Sequence, residues 1–191
     1  MDFFSYTNKL QPSKGKVLVS EPFLSDPGFE RTIILLCEHN ADGSFGFVLN
    51  KPSLVNLGDV MEELAIFNVP VFVGGPVQQD TLHYLHRCAF IKDAIPVADD
   101  VYWGGDFENL KFLMETSQLS SSDVKFFLGY SGWSEGQLES EIGSSTWIVS
   151  DRINSRLVFE TDPGLMWRAS LKSMGGRYTV YSNYPVDPRM N

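Results

Sequence analysis

The chain is 191 residues long, 43% hydrophobic and 20% charged, with 14 Phe, 7 Tyr and 4 Trp. That is enough bulky apolar matter for one dense core and too much for an intrinsically disordered chain. Its 15 Lys and Arg face 24 Asp and Glu, a formal net charge of −9, so the field of the molecule opposes phosphate backbones and anionic lipid, and direct nucleic-acid binding is disfavoured. The two cysteines, Cys37 and Cys88, are too few for a disulfide framework and suit a reducing compartment. With no signal-like start and no apolar run of membrane-spanning length, the expectation is a cytoplasmic protein with no membrane partner.

Residues 1–12 are mixed and largely polar and read as a flexible N-terminal arm, followed by a single domain over 13–191. Residues 16–20 (KVLVS) form a short strand, and 21–30 a loop with a turn at Asp26-Pro27-Gly28. The apolar, β-branched runs 31–38 and 44–50 predict an antiparallel hairpin in the middle of a sheet. Asn56 caps a short helix carrying Leu57, Val60, Met61 and Leu64. Residues 71–75 and 101–105 are β-rich triplets running into Gly74-Gly75 and Gly104-Gly105, with a strand at 81–88 between them and another ending at 95–97.

Asp106 caps a second helix with Phe107, Leu110, Leu113 and Met114 on one stripe, and 125–130 (KFFLGY) is a buried strand. Ser134 and Gln137 match a capping box opening a helix that carries Leu138 and Ile142 and stops at Gly143. Residues 147–150 and 157–159 read as strands; Asp162-Pro163 opens a last helix through Met174, and the tail follows Arg177. Strands and helices interleave, yet the early hairpin is too tightly joined for a crossover helix. The fold class is therefore α/β: a single compact domain with a mixed, partly antiparallel sheet flanked by short helices.

These blocks resemble a known family. Residues 15–19 (GKVLV), Asp26-Pro27-Gly28-Phe29, Cys37-Glu38-His39 and 46–52 (GFVLNKP) are similar to the opening of the AlgH/YqgE family. So are Gly74-Gly75-Pro76-Val77, Leu85-His86, 129–133 (GYSGW) running into 136–139 (GQLE), the stretch around Trp167, and the ending 185–191. The resemblance covers nearly everything from residue 13 onward and implies a compact mixed α/β fold. One member was named as a regulator of alginate production, but the resemblance brings no established catalytic residues or cofactor. With no helix-turn-helix signature and a charge of −9, any regulation is expected to be indirect rather than by a DNA-binding transcriptional regulator.

The residues that carry chemistry are few. Cys37 and His39, two apart at a strand end, are expected on one face, where with His83 and His86 they form the only conceivable metal set. A cysteine closing an apolar strand is more simply a small hydrophobe. His39 beside Glu38 has the composition of a tuned general base, while a turn histidine more simply caps backbone groups. His83 and His86, three apart, fall on opposite faces of a strand. Gly132-Trp133-Ser134-Glu135-Gly136 fits the G-x-S-x-G spelling. No histidine follows Ser134 as such hydrolases require, and the capping box gives the serine a structural role. The glycine pairs match no nucleotide-binding motif and read as tight turns.

The leading expectation is a non-catalytic module with no cofactor, binding a protein or small ligand in a groove formed by Cys37, His39, Asn50, Gly74, Gly75, Trp133, Ser134 and Gln137. A hydrolase using Ser134 or a Cys37/His39 metal site is the rival.

Overall fold

Aliphatic and β-branched runs buried on both sides cannot alternate with polar residues, and the early strands are accordingly continuous in hydrophobicity. The computed structural model describes residues 10–186. Its strands are β1 (Val17–Ser20), β2 (Ile33–Asn40), β3 (Gly43–Val48), β4 (Pro52–Asn56), β5 (Pro70–Val73), β6 (Val77–His86), β7 (Ile95–Ala98), β8 (Val101–Trp103), β9 (Val124–Ser134) and β10 (Trp147–Ser150). The helices are α1 (Leu57–Val60), α2 (Phe107–Glu115), α3 (Gln137–Gly143), α4 (Ser155–Phe159), α5 (Pro163–Met174) and α6 (Arg177–Tyr181), with a 3-10 segment at Glu62–Phe67.

The strands join in one ten-stranded sheet of order β10-β1-β2-β3-β9-β6-β8-β7, with β4 and β5 branching from β9. Pairings are antiparallel except β5 with β9, which is parallel, so the sheet is mixed as expected. The 11-residue β9 is its spine. Its C-terminal part pairs β3, its Phe126–Leu128 stretch pairs β5, and its other edge pairs β6.

Successive residues of β1 and β2 enter opposite layers, as the two-residue period of a strand requires. Val17, Val19, Ile33 and Leu35 pack with Trp167 and Leu171 of α5. Leu18, Ile34 and Leu36 pack with Leu138 of α3 and with Trp147. A third cluster seats α2 through Leu110 and Met114, with Leu57 and Leu64, on Val71, Tyr84 and Phe126. Asp162 Oδ1 accepts the Gly164 N–H at the start of α5, and Asp106 caps α2 at Asn109.

Two expectations are corrected, and two are refined. Residues 157–159 are helical in α4, because Asn154 Oδ1 accepts the Leu157 N–H at 3.0 Å and closes a turn there. The helix after Asn56 ends at Val60, and the chain folds back as the 3-10 segment, Gly58 against Ala65, so that Leu57 and Leu64 both reach the core. The tail contains α6. Of the expected arm, residues 1–9 lie outside the described residues; Leu10 packs against the α3-side cluster and Pro12 is buried, so its end is seated on the body.

Among the described residues one charged side chain enters the core. Lys125, in the buried run of β9, is 7% exposed. Its Nζ donates to Val158 O at 3.2 Å and sits 4.1 Å from the centre of the Phe72 ring. Burial lowers its pKa to about 7.

Candidate functional site

The tip of the β2–β3 hairpin builds the site. The β2–β3 register passes from Leu36↔Gly46 to Glu38↔Phe45, which leaves Cys37 as the extra residue of a β-bulge. A bulge resets the alternation. Cys37 points into the α5-side core, where it is 2% exposed, and His39 emerges on the other face beside α3. There its Nδ1 lies 2.6 Å from Ser44 Oγ and its Nε2 3.5 Å from the Glu139 carboxylate. The expectation that Cys37 and His39 share a face is thus overturned by the bulge. Burial also pushes the Cys37 thiol well above its ordinary range, away from the thiolate that metal binding or nucleophilic attack needs. Among the described residues no three His, Cys, Asp or Glu side chains converge as a metal set.

The hydroxyl–imidazole–carboxylate chain of Ser44, His39 and Glu139 lies on the α3 side of the sheet. It ties the hairpin to α3. Glu139 and Glu141 diverge: Glu141 Oε2 accepts from both Trp133 Nε1 at 2.9 Å and Trp147 Nε1 at 2.8 Å. Glu141→Leu leaves two indole N–H groups without a partner and is expected to cost about 2–4 kcal/mol in urea unfolding. A loss under about 0.5 kcal/mol, the range of ordinary surface substitutions, would show that these bonds contribute nothing.

Ser134 ends β9, paired with Gly43. Both its N–H and its hydroxyl are directed at Gln137 Oε1, at 3.1 and 3.3 Å. Only half of the expected capping box forms. α3 starts at Gln137 behind Gly136, whose φ of 71° makes the turn, so the serine hydroxyl does not cap the helix. The serine has no imidazole partner among its hydrogen bonds.

The opposite face of the hairpin opens on a cavity of about 620 Å³. Phe45 of β3, His83 of β6, Trp103 of β8 and Tyr130 of β9 line it, and Glu38, Asn40 and Asp42 stand at the hairpin tip. The rings pack edge to face: Phe45 is 4.8 Å from Trp103 and 5.9 Å from Tyr130, centre to centre. His83 touches Phe47 at 5.2 Å and Tyr130 at 6.0 Å. Burial holds the His83 imidazole below its ordinary value, favouring the neutral ring. Its Nε2 is buried and has no hydrogen-bond partner among the described residues.

His86 lies on the other face of β6. It is fully buried, with Nε2 2.8 Å from Gly104 O and Nδ1 accepting the Cys88 N–H. It is a structural histidine held neutral by burial.

Of the predicted groove, the structure brings Trp133 to the cavity and His39, Ser134 and Gln137 near it on the α3 side. Cys37 is sealed in the core. Gly74 and Gly75 are elsewhere: Gly74 donates to Leu128 O and accepts from Val48 N–H and the Ser131 hydroxyl, so this glycine pair closes β5 onto β9. Asn50 lies at the opposite end of the hairpin, bridging Arg31 O and the Ile33 N–H. Phe45, His83, Trp103 and Tyr130 were not singled out together, because only strand pairing assembles them.

Comparison with known proteins agrees with this architecture. Residues 17–179 match the AlgH-like family. A UPF0301 protein of Cytophaga hutchinsonii is 51% identical over 181 residues, covering 94% of this chain and 99% of that one. A UPF0301 protein of Chlorobaculum tepidum is 43% identical, covering 97% and 100%. Among solved structures, a Corynebacterium diphtheriae protein superposes with a TM-score of 0.76 at 24% identity over 92% of this chain and 94% of that one. The solution structure of AlgH from Pseudomonas aeruginosa gives 0.71 at 25% identity over 93% and 97%. The chain belongs to the AlgH-like family. No helix among the described residues is long and apolar enough to cross a membrane.

Proposed function

We propose that this AlgH-like chain is a non-catalytic binding module, a single domain from residue 13 to 191, whose site is the aromatic cavity at the tip of the β2–β3 hairpin. The observation that carries this reading is the buried, unpartnered Nε2 of His83 in the cavity wall, since buried polar atoms without partners are rare unless something else meets them. The walls suit a flat apolar body, which Phe45, Trp103 and Tyr130 would stack against. Glu38 and Asp42 at the mouth, and the net charge of −9, favour a cationic end. The ligand class is therefore a small aromatic amine, or a protein partner presenting such a group. Two unpaired cysteines support a reducing, cytoplasmic setting, and in this reading any regulatory role runs through ligand binding rather than DNA. A hydrolase reading draws no support from Ser134, whose polar atoms are spent on Gln137.

A thermal-shift screen of aromatic amines, tryptamine among them, tests this. A ligand at a hundredfold its Kd adds about 2.7 kcal/mol to stability, and the shift should vanish in Trp103→Ala and weaken in His83→Phe. Shifts equal in wild type and Trp103→Ala, or no shift in wild type, would count against the cavity as the site.

A further inference from the structure

At the far end of the β2–β3 hairpin, a second cleft of about 480 Å³ lies between the loops at Glu30-Arg31 and Asn50-Lys51 and the first turn of α5. We propose that this cleft is an anion site, in which Arg31, Lys51 and Arg168 hold the phosphate or carboxylate group of a small ligand.

Charge placement is the first ground. In a chain of net charge −9, three cations line one cleft beside a single acid among the described residues, Glu30. Among the described residues none of the three has a carboxylate at ion-pair distance. By contrast Arg87 is paired with Asp123 and Glu160, and Lys111 with Glu63 and Glu108. Three like charges against one carboxylate leave a net repulsion, which an anion relieves.

The second ground is that Arg31 is held in place with donor capacity unused. Its backbone is left-handed, φ 50°, a conformation a side-chain-bearing residue adopts at a cost. The Asn50 amide fixes it there, donating to Arg31 O and accepting from the Ile33 N–H. The guanidinium lies 4.6 Å from the centre of the Trp167 ring and donates through Nη2 to Tyr184 O at 2.7 Å. Its Nε is buried with no acceptor among the described residues. Burial and then repulsion from Arg168 hold this guanidinium below its ordinary value, which an oxyanion would reverse. A planar guanidinium with an unused Nε–H and spare Nη donors suits the oxygens of phosphate or carboxylate. The helix end is not the source of attraction, because Asp162 already accepts the Gly164 N–H.

The test is an NMR titration of the Arg31 Nε–Hε resonance with inorganic phosphate and, separately, malonate, at ionic strength fixed with sodium chloride. A saturable shift is expected. Arg168→Gln and Lys51→Gln should each weaken it at least about tenfold, the worth of one hydrogen bond to a charged group, while the control Lys172→Gln leaves it unchanged. Saturation by phosphate alone identifies a phosphorylated ligand, and saturation by malonate alone a dicarboxylate; either supports the site. His83→Phe should not alter it, so this result and that for the aromatic cavity stand apart. A shift reproduced by chloride, no saturation with either anion, or equal affinity in Arg168→Gln and Lys51→Gln overturns the proposal.

Discussion

Lys125→Met is expected to stabilise the protein below pH 7, by on the order of 2 kcal/mol, and to lose that advantage as pH rises toward 10.5. The native state takes up the Lys125 proton only below about pH 7, whereas the unfolded chain already holds it below 10.5. Between those values the unfolded state binds more protons, so wild-type stability climbs with pH across the window. Below it the full penalty of a buried ammonium is present. Val158 O and the Phe72 face offset part of the penalty, and methionine forfeits them, which is why the expected gain is smaller than the displacement of the pKa alone implies. Urea unfolding of both proteins across this range reads the effect directly. A difference independent of pH, or a destabilised variant at neutral pH, would show that Lys125 carries its charge inside without cost.

Gly74→Ala should be among the more damaging single methyl groups in the chain, costing about 3 kcal/mol or more. A Cβ there would lie 2.3 Å from Gly129 O, with Phe47 and Phe127 atoms at 3.0 and 3.2 Å, and the first of these is backbone that cannot swing aside. The same backbone contact carries β5 onto the spine, so relief must pull β5 from β9. Gly143→Ala is the matched control: a Cβ at this helix position meets nothing within 4 Å, and alanine there should be neutral or gain up to about 1 kcal/mol. Comparable unfolding midpoints for the two variants would refute the close-approach account. The same close approach holds the Gly74-Gly75 pair against β9 and off the cavity lining.

Legibility of the fold in the sequence followed from how each element is encoded. β2, β3 and β9 were readable because burial on both faces makes uninterrupted apolar runs, and α5 because Asp162-Pro163 announces a helix start. Leu157-Val158-Phe159 spells a strand by composition, yet one Asn154 hydrogen bond makes it helical; local capping outweighs propensity over so short a stretch. The facing of Cys37 and His39 was unreadable, since a single sequence does not reveal where a bulge adds its extra residue. The cavity was half legible. Trp133 stood out through its motif, but Phe45, His83, Trp103 and Tyr130 sit on four different strands, and nothing short of the order β3-β9-β6-β8 brings them together. Arg31, Lys51 and Arg168 lie on three separated segments for the same reason. Lys125 opens KFFLGY, and the reading of that run as a buried strand did not single out its charge.

The pairing of β1 with β10, Val17 opposite Ser150, reaches across most of the chain, and the Trp167 indole closes it further by donating to Ser20 O at 2.9 Å. A nascent polypeptide leaving the ribosome therefore carries its first strand with one edge open until nearly all the rest has been translated. Such distant partners make for slow folding and for a long interval in which that edge can recruit another molecule. Chaperone engagement, and losses to aggregation on rapid expression, should concentrate in that interval.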